Sequence, residues 1–307
     1  MTPPTEKQPF SGSLSDPRTM RSLLEEAGFS FKKSLGQNFL INPTVCPRMA
    51  EAACGEAAGA PVGALEIGPG IGVLTAELCR RAERVVAIEL DERLRPVLER
   101  TLGGFDNCQI LFGDALRLDL HRILAERFAG MEVVVCANLP YYITSPLLMR
   151  LLESRLPVRS ITVMVQKEAA DRLCAPVGSR AAGAVTAAVA YYAEPELLFG
   201  VSAGSFLPAP RVDSAVLRLR IREKPPVEVA DEAAFFALIK AAFAQRRKTL
   251  VNSVSSAGGI EKAALLAALE EIGLPPDVRA EKLTLSQLAA LSNTLNGGGG
   301  IAEKQPV

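Results

Sequence analysis

The 307-residue sequence contains a single histidine, His121, and no pair of cysteines at the C-x-x-C spacing. A metal centre built on histidines is thereby nearly excluded, and acid–base chemistry based on histidine is limited to one residue. The six cysteines fall mostly inside apolar helix or strand patterns, which is typical of buried, reduced thiols. The composition therefore predicts no metal site.

Long apolar runs and a net charge are also absent. No apolar stretch approaches the roughly 18 residues that span a bilayer, and the N-terminal residues lack the apolar core of a signal peptide. We therefore expect a cytoplasmic protein without membrane contact. Basic and acidic residues number 34 each, so the overall charge gives no indication of a nucleic-acid partner, while a local basic patch remains open.

Short β-rich segments alternate with helical ones between residues 64 and 221. Seven strands are predicted, over 64–68, 84–90, 108–113, 132–138, 160–166, 196–202 and 215–221. Helical periodicity separates the early strands, over 72–82, 91–102 and 115–128. This alternation predicts an α/β fold with a mostly parallel, doubly wound sheet. The last two strands should form an antiparallel pair at one edge, because no helix separates them.

After residue 222 the pattern becomes purely helical, which predicts a small C-terminal all-α domain. A long amphipathic helix is expected over 231–254, with Asp231 as its N-cap, followed by helices over 261–273 and 283–295. The predicted organisation is a disordered tail, a sheet domain, a helical domain and a second disordered tail, over 1–20, 21–222, 223–295 and 296–307.

Three predicted strands end in residues that suit a nucleoside, at the edge where open parallel sheets bind ligands. In "EIGPGIG", Gly68 and Gly70 permit a tight turn and close approach of the backbone to a ligand. Glu89 ends the second strand and can accept hydrogen bonds from both ribose hydroxyls, and Asp114 follows the third, within reach of an adenine amino group. Either acid alone could instead cap a helix, but the three features together predict a nucleoside-containing cofactor.

The glycine pattern itself separates two cofactor classes. A dinucleotide fingerprint requires G-x-G-x-x-G, and Val73 stands at its last position. The observed G-x-G-x-G preceded by Glu66 is typical of enzymes that use S-adenosylmethionine (AdoMet).

The fourth strand ends in Asn138, Leu139, Pro140 and Tyr141. Pro140 forces Leu139 into an extended conformation and donates no N–H, so carbonyl oxygens remain available beside the Asn138 side chain. Two acceptors at fixed angles hold both hydrogens of an exocyclic amine and turn its lone pair toward a sulfonium methyl, which favours transfer by proximity and orientation. Tyr141 offers a ring on which the base can stack.

These motifs resemble one family closely. "FKKSLGQNFL", "EIGPGIGVLT", "IELD", "GDAL", "NLPY", "FLPAPRVDSAV" and "FAQRRKTL" are similar, in content and order, to the ribosomal RNA adenine dimethyltransferase family of the KsgA type. The resemblance runs from about Phe31 to Leu295. It implies a Rossmann-like class I methyltransferase that modifies adenine N(6) with AdoMet and no metal.

The resemblance also implies residue roles. Asn38 and Leu40 would lie across the cofactor, and Phe206 would form a second aromatic face opposite Tyr141, whereas the pattern alone makes Phe206 a core residue. AdoMet would be held by Gly68, Gly70, Glu89, Asp114 and Asn138, and Asn138 would also touch the target amine. Ala182 stands where the family commonly has an aromatic residue, so the resemblance implies no contact at that position.

The substrate implied is a pair of adjacent adenines near the 3′ end of small-subunit rRNA, modified by a monomer during ribosome assembly. Arg246, Arg247 and Lys248 are candidate RNA contacts, because Arg246 would return to the apolar stripe of the long helix; a solvated helix face is the alternative. For Lys32 and Lys33, contact with RNA phosphates and a place in a solvated tail are both open. A large-subunit methyltransferase of the erythromycin-resistance type and a non-catalytic RNA-binding assembly or transcription factor remain alternatives.

Overall fold

The computed structural model describes residues 10–29, 38–55, 59–141 and 143–297, and the chain divides into two compact units. The first comprises Met1–Ala170 with Glu196–Ile221, and the second Asp171–Pro195 with Arg222–Val307. The segment from Asp171 to Pro195, which the predicted boundary at residue 222 placed with the sheet, therefore groups with the C-terminal helices.

The first unit is built on a sheet whose strands match all seven predicted segments. The strands of the chain are β1 Phe39–Leu40, β2 Val62–Ile67, β3 Arg84–Glu89, β4 Cys108–Phe112, β5 Glu132–Asn138, β6 Ser160–Gln166, β7 Ala193–Val201, β8 Phe206–Leu207 and β9 Ser214–Ile221. The large sheet has the order β4-β3-β2-β5-β6-β9-β7. The first five strands in this order are parallel, and β9 is antiparallel to β6. The mostly parallel seven-stranded fold is confirmed, with β7 and β9 adjacent at one edge.

Among the described residues of the first unit, seven α-helices begin: α1 Pro17–Glu26, α2 Val45–Cys54, α3 Val73–Cys79, α4 Arg95–Leu102, α5 Leu120–Arg127, α6 Thr144–Glu153 and α7 Lys167–Leu173. Helices α3, α4 and α5 correspond to the three predicted segments, whereas α1, α2, α6 and α7 were not predicted. Helix α1 starts inside the segment predicted as a disordered tail, because the Asp16 side chain accepts the Thr19 N–H and Pro17 suits the first turn. Helix α5 starts at Leu120 instead of residue 115, because Asp119 caps it.

The second unit contains α8 Ala184–Tyr192, α9 Glu232–Ala242, α10 Leu250–Gly258, α11 Lys262–Glu271 and α12 Leu285–Gly297. The single helix predicted over 231–254 was wrong, since α9 ends at Ala242 and α10 begins after the Thr249 cap. The Gln245 N–H donates to the Ser253 hydroxyl at 3.2 Å, which closes the turn between the two helices.

The central strands bring polar residues to one edge because their interiors are apolar. Every residue of β2 is buried, as are Val133 to Ala137 of β5, which is expected for parallel strands covered on both faces. Burial fixes the register of each strand, so its last residue emerges at the carboxyl edge of the sheet.

A separate two-stranded sheet lies in the same unit. Strand β1 pairs with β8 in antiparallel fashion, with Phe39 opposite Leu207 and Leu40 opposite Phe206. The Ile41 N–H extends this pairing by donating to the Ser205 carbonyl at 2.8 Å.

Within the described ranges, none of the helices has the length and apolar character needed to cross a bilayer.

Candidate active site

One pocket of the first unit opens at the carboxyl edge of the sheet, with about 1210 Å³ of empty space including its open mouth. It brings together every residue predicted for the cofactor and the reaction: Asn38, Leu40, Gly68, Gly70, Glu89, Asp114, Asn138, Leu139, Pro140, Tyr141 and Phe206. Its walls also include apolar residues that the motifs did not single out, among them Phe39, Cys46, Met49, Leu90, Leu116 and Met164.

The turn after β2 requires glycine at both positions predicted to contact the cofactor. Gly68 and Gly70 have φ angles of 75° and 60°, a region that other residues rarely adopt. A Cβ atom on Gly70 would lie 3.0 Å from the Phe39 ring, so a side chain here would also have to displace that ring. The turn thus keeps its backbone at the pocket surface, where a ligand can approach closely.

Glu89, the last residue of β3, is 6% exposed and is fixed by backbone donors. The Gly70 N–H donates to its Oε2 at 3.2 Å and the Asp91 N–H to its Oε1 at 2.8 Å. Burial raises the pKa of Glu89, and these two N–H groups oppose that rise. Each carboxylate oxygen has a second lone pair, so both can still accept from a ribose diol.

Asp114 follows β4 and opens a turn, not the helix expected there. Its Oδ1 accepts the Leu116 N–H at 2.9 Å, and its Oδ2 lies 3.5 Å from Arg117 in a solvent-exposed pair. The local bond orients the carboxylate while leaving acceptor capacity toward the pocket, so the capping and ligand-binding interpretations are compatible at this residue.

Glu66 lies in β2 beneath the glycine turn and lines the pocket at 1% exposure. Burial raises its pKa to about 8, and the nearby Glu89 acts in the same direction. Among the described residues, none makes a hydrogen bond with its Oε2 atom. A buried carboxyl with one unsatisfied oxygen on a ligand pocket suits a cationic ligand, and AdoMet carries an ammonium and a sulfonium group.

The four residues after the body of β5 are held by short-range bonds. Asn138 pairs with Met164 of β6, and the Leu139 N–H donates to the Met164 carbonyl at 3.1 Å. The Pro140 carbonyl accepts the Ile143 N–H at 3.2 Å. Since the turn thus uses the Pro140 carbonyl, the Asn138 side chain and the Leu139 carbonyl remain the candidates for holding an amine.

The two predicted aromatic faces differ in exposure. Tyr141 is half-buried, and its hydroxyl shares a hydrogen bond of 2.8 Å with the hydroxyl of Ser214. Phe206 is only 3% exposed and packs in the core beside Met164 and Val216, although it also lines the pocket. Phe206 is therefore both a core residue and part of the pocket wall.

The predicted RNA contacts Arg246, Arg247 and Lys248 belong to the second unit, whereas the pocket is lined by residues of the first. Arg246, Arg247 and Lys248 are exposed in the turn between α9 and α10, so the expected return of Arg246 to a helical stripe was wrong. Within the second unit, the Arg246 guanidinium donates to the Arg180 carbonyl at 3.0 Å. Lys32 and Lys33 lie outside the described residues. Across the described ranges, no group of three or more metal-ligating side chains occurs.

A sheet of this order, with a glycine turn after β2, an acid at the end of β3 and an antiparallel β9, defines a class I methyltransferase. The family model for "Ribosomal RNA adenine dimethylase" matches residues 28–297. This chain belongs to the ribosomal RNA adenine dimethylase family, whose methyl donor is AdoMet, and the pocket described above fits that donor.

Two curated relatives illustrate the match. The proteins called "Ribosomal RNA small subunit methyltransferase A" from Geobacillus sp. (strain WCH70) and Geobacillus thermodenitrificans (strain NG80-2) are each 47% identical over 286 residues, covering 92% of this chain and 97% of theirs. The match therefore runs along nearly the whole of both chains.

Solved structures agree on the fold. A dimethyladenosine transferase from Plasmodium falciparum superposes with a TM-score of 0.68 at 24% identity, covering 85% of this chain and 98% of that one. The 23S rRNA methyltransferase ErmE gives a TM-score of 0.62 at 26% identity, covering 84% of this chain and 100% of that one.

Proposed function

We propose that this protein dimethylates the N(6) amino groups of two adjacent adenines near the 3′ end of small-subunit rRNA during ribosome assembly, acting as a monomer. The observation that carries the proposal is one pocket lined by Glu89, Asp114 and the four residues from Asn138 to Tyr141. Relatives 47% identical along nearly their whole length are named for the small subunit, which supports the choice of RNA.

The cofactor end of the pocket would be formed by the first three strand ends. Glu89 would accept from the ribose hydroxyls and Asp114 from the adenine amino group, while the unsatisfied Oε2 atom of Glu66 would face the cationic part of the ligand. Asn38 and Leu40 would cover the ligand from the β1 side. When bound, AdoMet supplies an electrophilic methyl group.

The chain's own residues then orient the nucleophile. The Asn138 side-chain oxygen and the Leu139 carbonyl accept the two hydrogens of the adenine amine, which directs its lone pair toward the methyl group. The amine needs no strong base before attack, because it becomes acidic only once alkylated. This agrees with a sequence whose single histidine, His121, has its Nε2 engaged with the Ser154 carbonyl at 2.7 Å.

The base itself would be held between two aromatic faces. An adenine within a folded RNA must leave its stack to reach the pocket, and stacking on Tyr141 offsets part of that cost. Phe206 would supply the opposite face. Exposed Arg246, Arg247 and Lys248 of the second unit would contact phosphates of the same RNA.

The decisive experiment supplies radiolabelled AdoMet with unmethylated small and large ribosomal subunits in separate reactions, followed by digestion and separation of N(6)-methylated nucleosides. We expect dimethyladenosine from small-subunit RNA only. Asn138→Ala serves as the inactive control, because it removes one acceptor of the amine. Label confined to large-subunit RNA would reject the proposed substrate.

Methylation of large-subunit RNA is the second candidate, since ErmE, a 23S rRNA methyltransferase, has a similar structure at 26% identity. The same pair of reactions distinguishes it. A protein that binds RNA without catalysis would give no label in either reaction and no heat signal when titrated with AdoMet.

A further inference from the structure

We propose that Ser214 is a positioning residue for methyl transfer, because its hydroxyl holds the ring of Tyr141 in the orientation that the target base needs. The inference rests on the proposed function and deepens it, since it assigns a role at the base-binding end of the pocket to a residue on a distant strand. Ser214 and Tyr141 are 73 positions apart in the sequence.

The hydrogen bond crosses the end of a strand. Tyr141 follows β5, Ser214 is the first residue of β9, and β6 lies between these two strands in the sheet. The two hydroxyl oxygens are 2.8 Å apart. Tyr141 is therefore held at two ends: by its own backbone after β5, and at its hydroxyl by Ser214 of β9, on the other side of β6.

Ser214 is itself firmly placed. It pairs with Gln166 in the antiparallel register of β6 and β9, which continues over seven residue pairs, and the Lys167 N–H donates to the Asp213 carbonyl at 3.0 Å beside it. Its side chain is 1% exposed. A substrate would therefore meet Ser214 only through Tyr141, so the residue is not a direct ligand.

The mechanical consequence follows from the geometry of a tyrosine side chain. The ring is attached at one end to the backbone: χ1 sets the direction of its long axis, among separate rotamers, and χ2 turns its face about that axis. A hydrogen bond at the hydroxyl fixes the direction of the long axis of the ring. Tyr141 is half-buried, so packing alone restrains only part of it, and loss of the bond lets the long axis swing and carries the stacking face out of place.

The size of the effect follows from the kind of bond. Burial raises the pKa of Tyr141 and the bond to Ser214 opposes that rise, so at neutral pH both partners are uncharged hydroxyls. A hydrogen bond between neutral groups makes a modest net contribution. We therefore expect losses of about threefold to tenfold in turnover, not inactivation.

The test is a double-mutant cycle on the full chain with Ser214→Ala, Tyr141→Phe and the double variant. Each single change should lower kcat/KM for RNA by about threefold to tenfold, and the double variant should lose no more than either single one. The Kd for AdoMet should stay within about twofold of wild type in all three, because the bond acts on the base and not on the cofactor.

Ser160→Ala provides the matched control. Ser160 is also a buried serine, at 2% exposure, but it is the first residue of β6 and so lies at the opposite end of that strand from the pocket. Its loss should therefore leave kcat/KM unchanged. If Ser214→Ala fails to fold, Tyr141→Phe carries the test alone, since it keeps the ring and leaves Ser214 intact.

The outcomes separate this inference from the proposed function. Multiplied losses in the double variant, or an unchanged kcat/KM in Tyr141→Phe, would overturn the positioning role while an active wild-type enzyme leaves the proposed function intact. A rise in the Kd for AdoMet as large as the loss in kcat/KM for RNA would likewise reject the positioning role in favour of a general structural one. A wild-type protein that labels no adenine would reject the proposed function itself.

Discussion

Leu40 and Phe206 lie directly opposite each other in the small antiparallel sheet of β1 and β8, and both line the pocket. Directly opposed residues place their side chains on the same face, close enough to pack. The segment assigned to the cofactor is thereby connected to the strand assigned to the target base. This pairing predicts that the two ends of the pocket are energetically coupled.

We expect Leu40→Ala to impair the use of RNA as well as the binding of AdoMet. At saturating AdoMet, kcat/KM for RNA should still fall by about twofold to fivefold, since the change removes packing against Phe206. Steady-state kinetics at two AdoMet concentrations measure this. Leu24→Ala is the matched control, because Leu24 is equally buried in α1 and lies in a different cluster. Full recovery of RNA turnover at saturating AdoMet would show that the two segments act independently.

The product distribution of Tyr141→Ala tests the role of the stacked base. After one methylation the amine keeps a single hydrogen, so one of the two bonds from Asn138 and Leu139 is given up. The second transfer should therefore depend more on stacking, which contributes on the order of 1–3 kcal/mol per base. We expect the ratio of dimethyladenosine to monomethyladenosine to fall in Tyr141→Ala, as measured by mass spectrometry of digested RNA. Equal loss of both products would count against this account.

The strand ends were the part of the site most accessible to prediction. Glu89 and Asn138 each terminate a run of apolar β-branched residues, and burial of that run determines which residue emerges at the edge. The pairing of β1 with β8 was not predicted, because strands of two residues have no measurable periodicity. Ser214 was missed for a related reason, since its role depends on a contact between β9 and the end of β5.

The helical errors have local causes that the sequence does carry. Asp16 followed by Pro17 is a helix-start signal, and it was hidden by the polar composition of the N-terminal segment. The break between α9 and α10 depends on Thr249, whose side chain accepts the Asn252 N–H at 3.4 Å. A threonine inside a long amphipathic pattern does not by itself indicate a new helix, so the apolar periodicity favoured one continuous element.

Glu66 makes stability and cofactor affinity depend on pH in opposite directions. Its pKa is about 8 in the folded protein against an ordinary value of 4.5, so between these values the folded carboxyl keeps a proton that the unfolded chain has released. The free energy of unfolding of the cofactor-free protein should therefore fall as pH rises through this window. Glu66→Gln should remove that slope and raise Tm at pH 8.

Binding of a cation favours the ionised carboxylate, so the affinity for AdoMet should rise with pH up to about 8 in wild type and lose that dependence in Glu66→Gln. Thermal unfolding and calorimetric titration at pH 6, 7 and 8 measure the two effects. Glu83→Gln, an exposed change in the same unit, should alter neither. A variant with weaker AdoMet binding but the wild-type pH slope would place the titrating group elsewhere.

We expect Arg247 and Lys248 to make a salt-dependent contribution to RNA binding. Both are exposed in the turn between α9 and α10, whereas Arg246 is engaged with the Arg180 carbonyl. If each contacts one phosphate, the double change to alanine should reduce the slope of log K against log salt by about 1.4 to 1.8.

Filter binding of small-subunit RNA between 50 and 200 mM salt, about the range over which phosphate contacts dominate affinity, measures that slope. The affinity for AdoMet should be unaffected, because its pocket is formed by residues of the first unit. Lys262→Ala, which removes one exposed cation at the start of α11, should leave the slope within error of wild type. An unchanged slope in the Arg247 and Lys248 variant would mean that these side chains form a solvated turn and that phosphate contacts lie elsewhere on the chain.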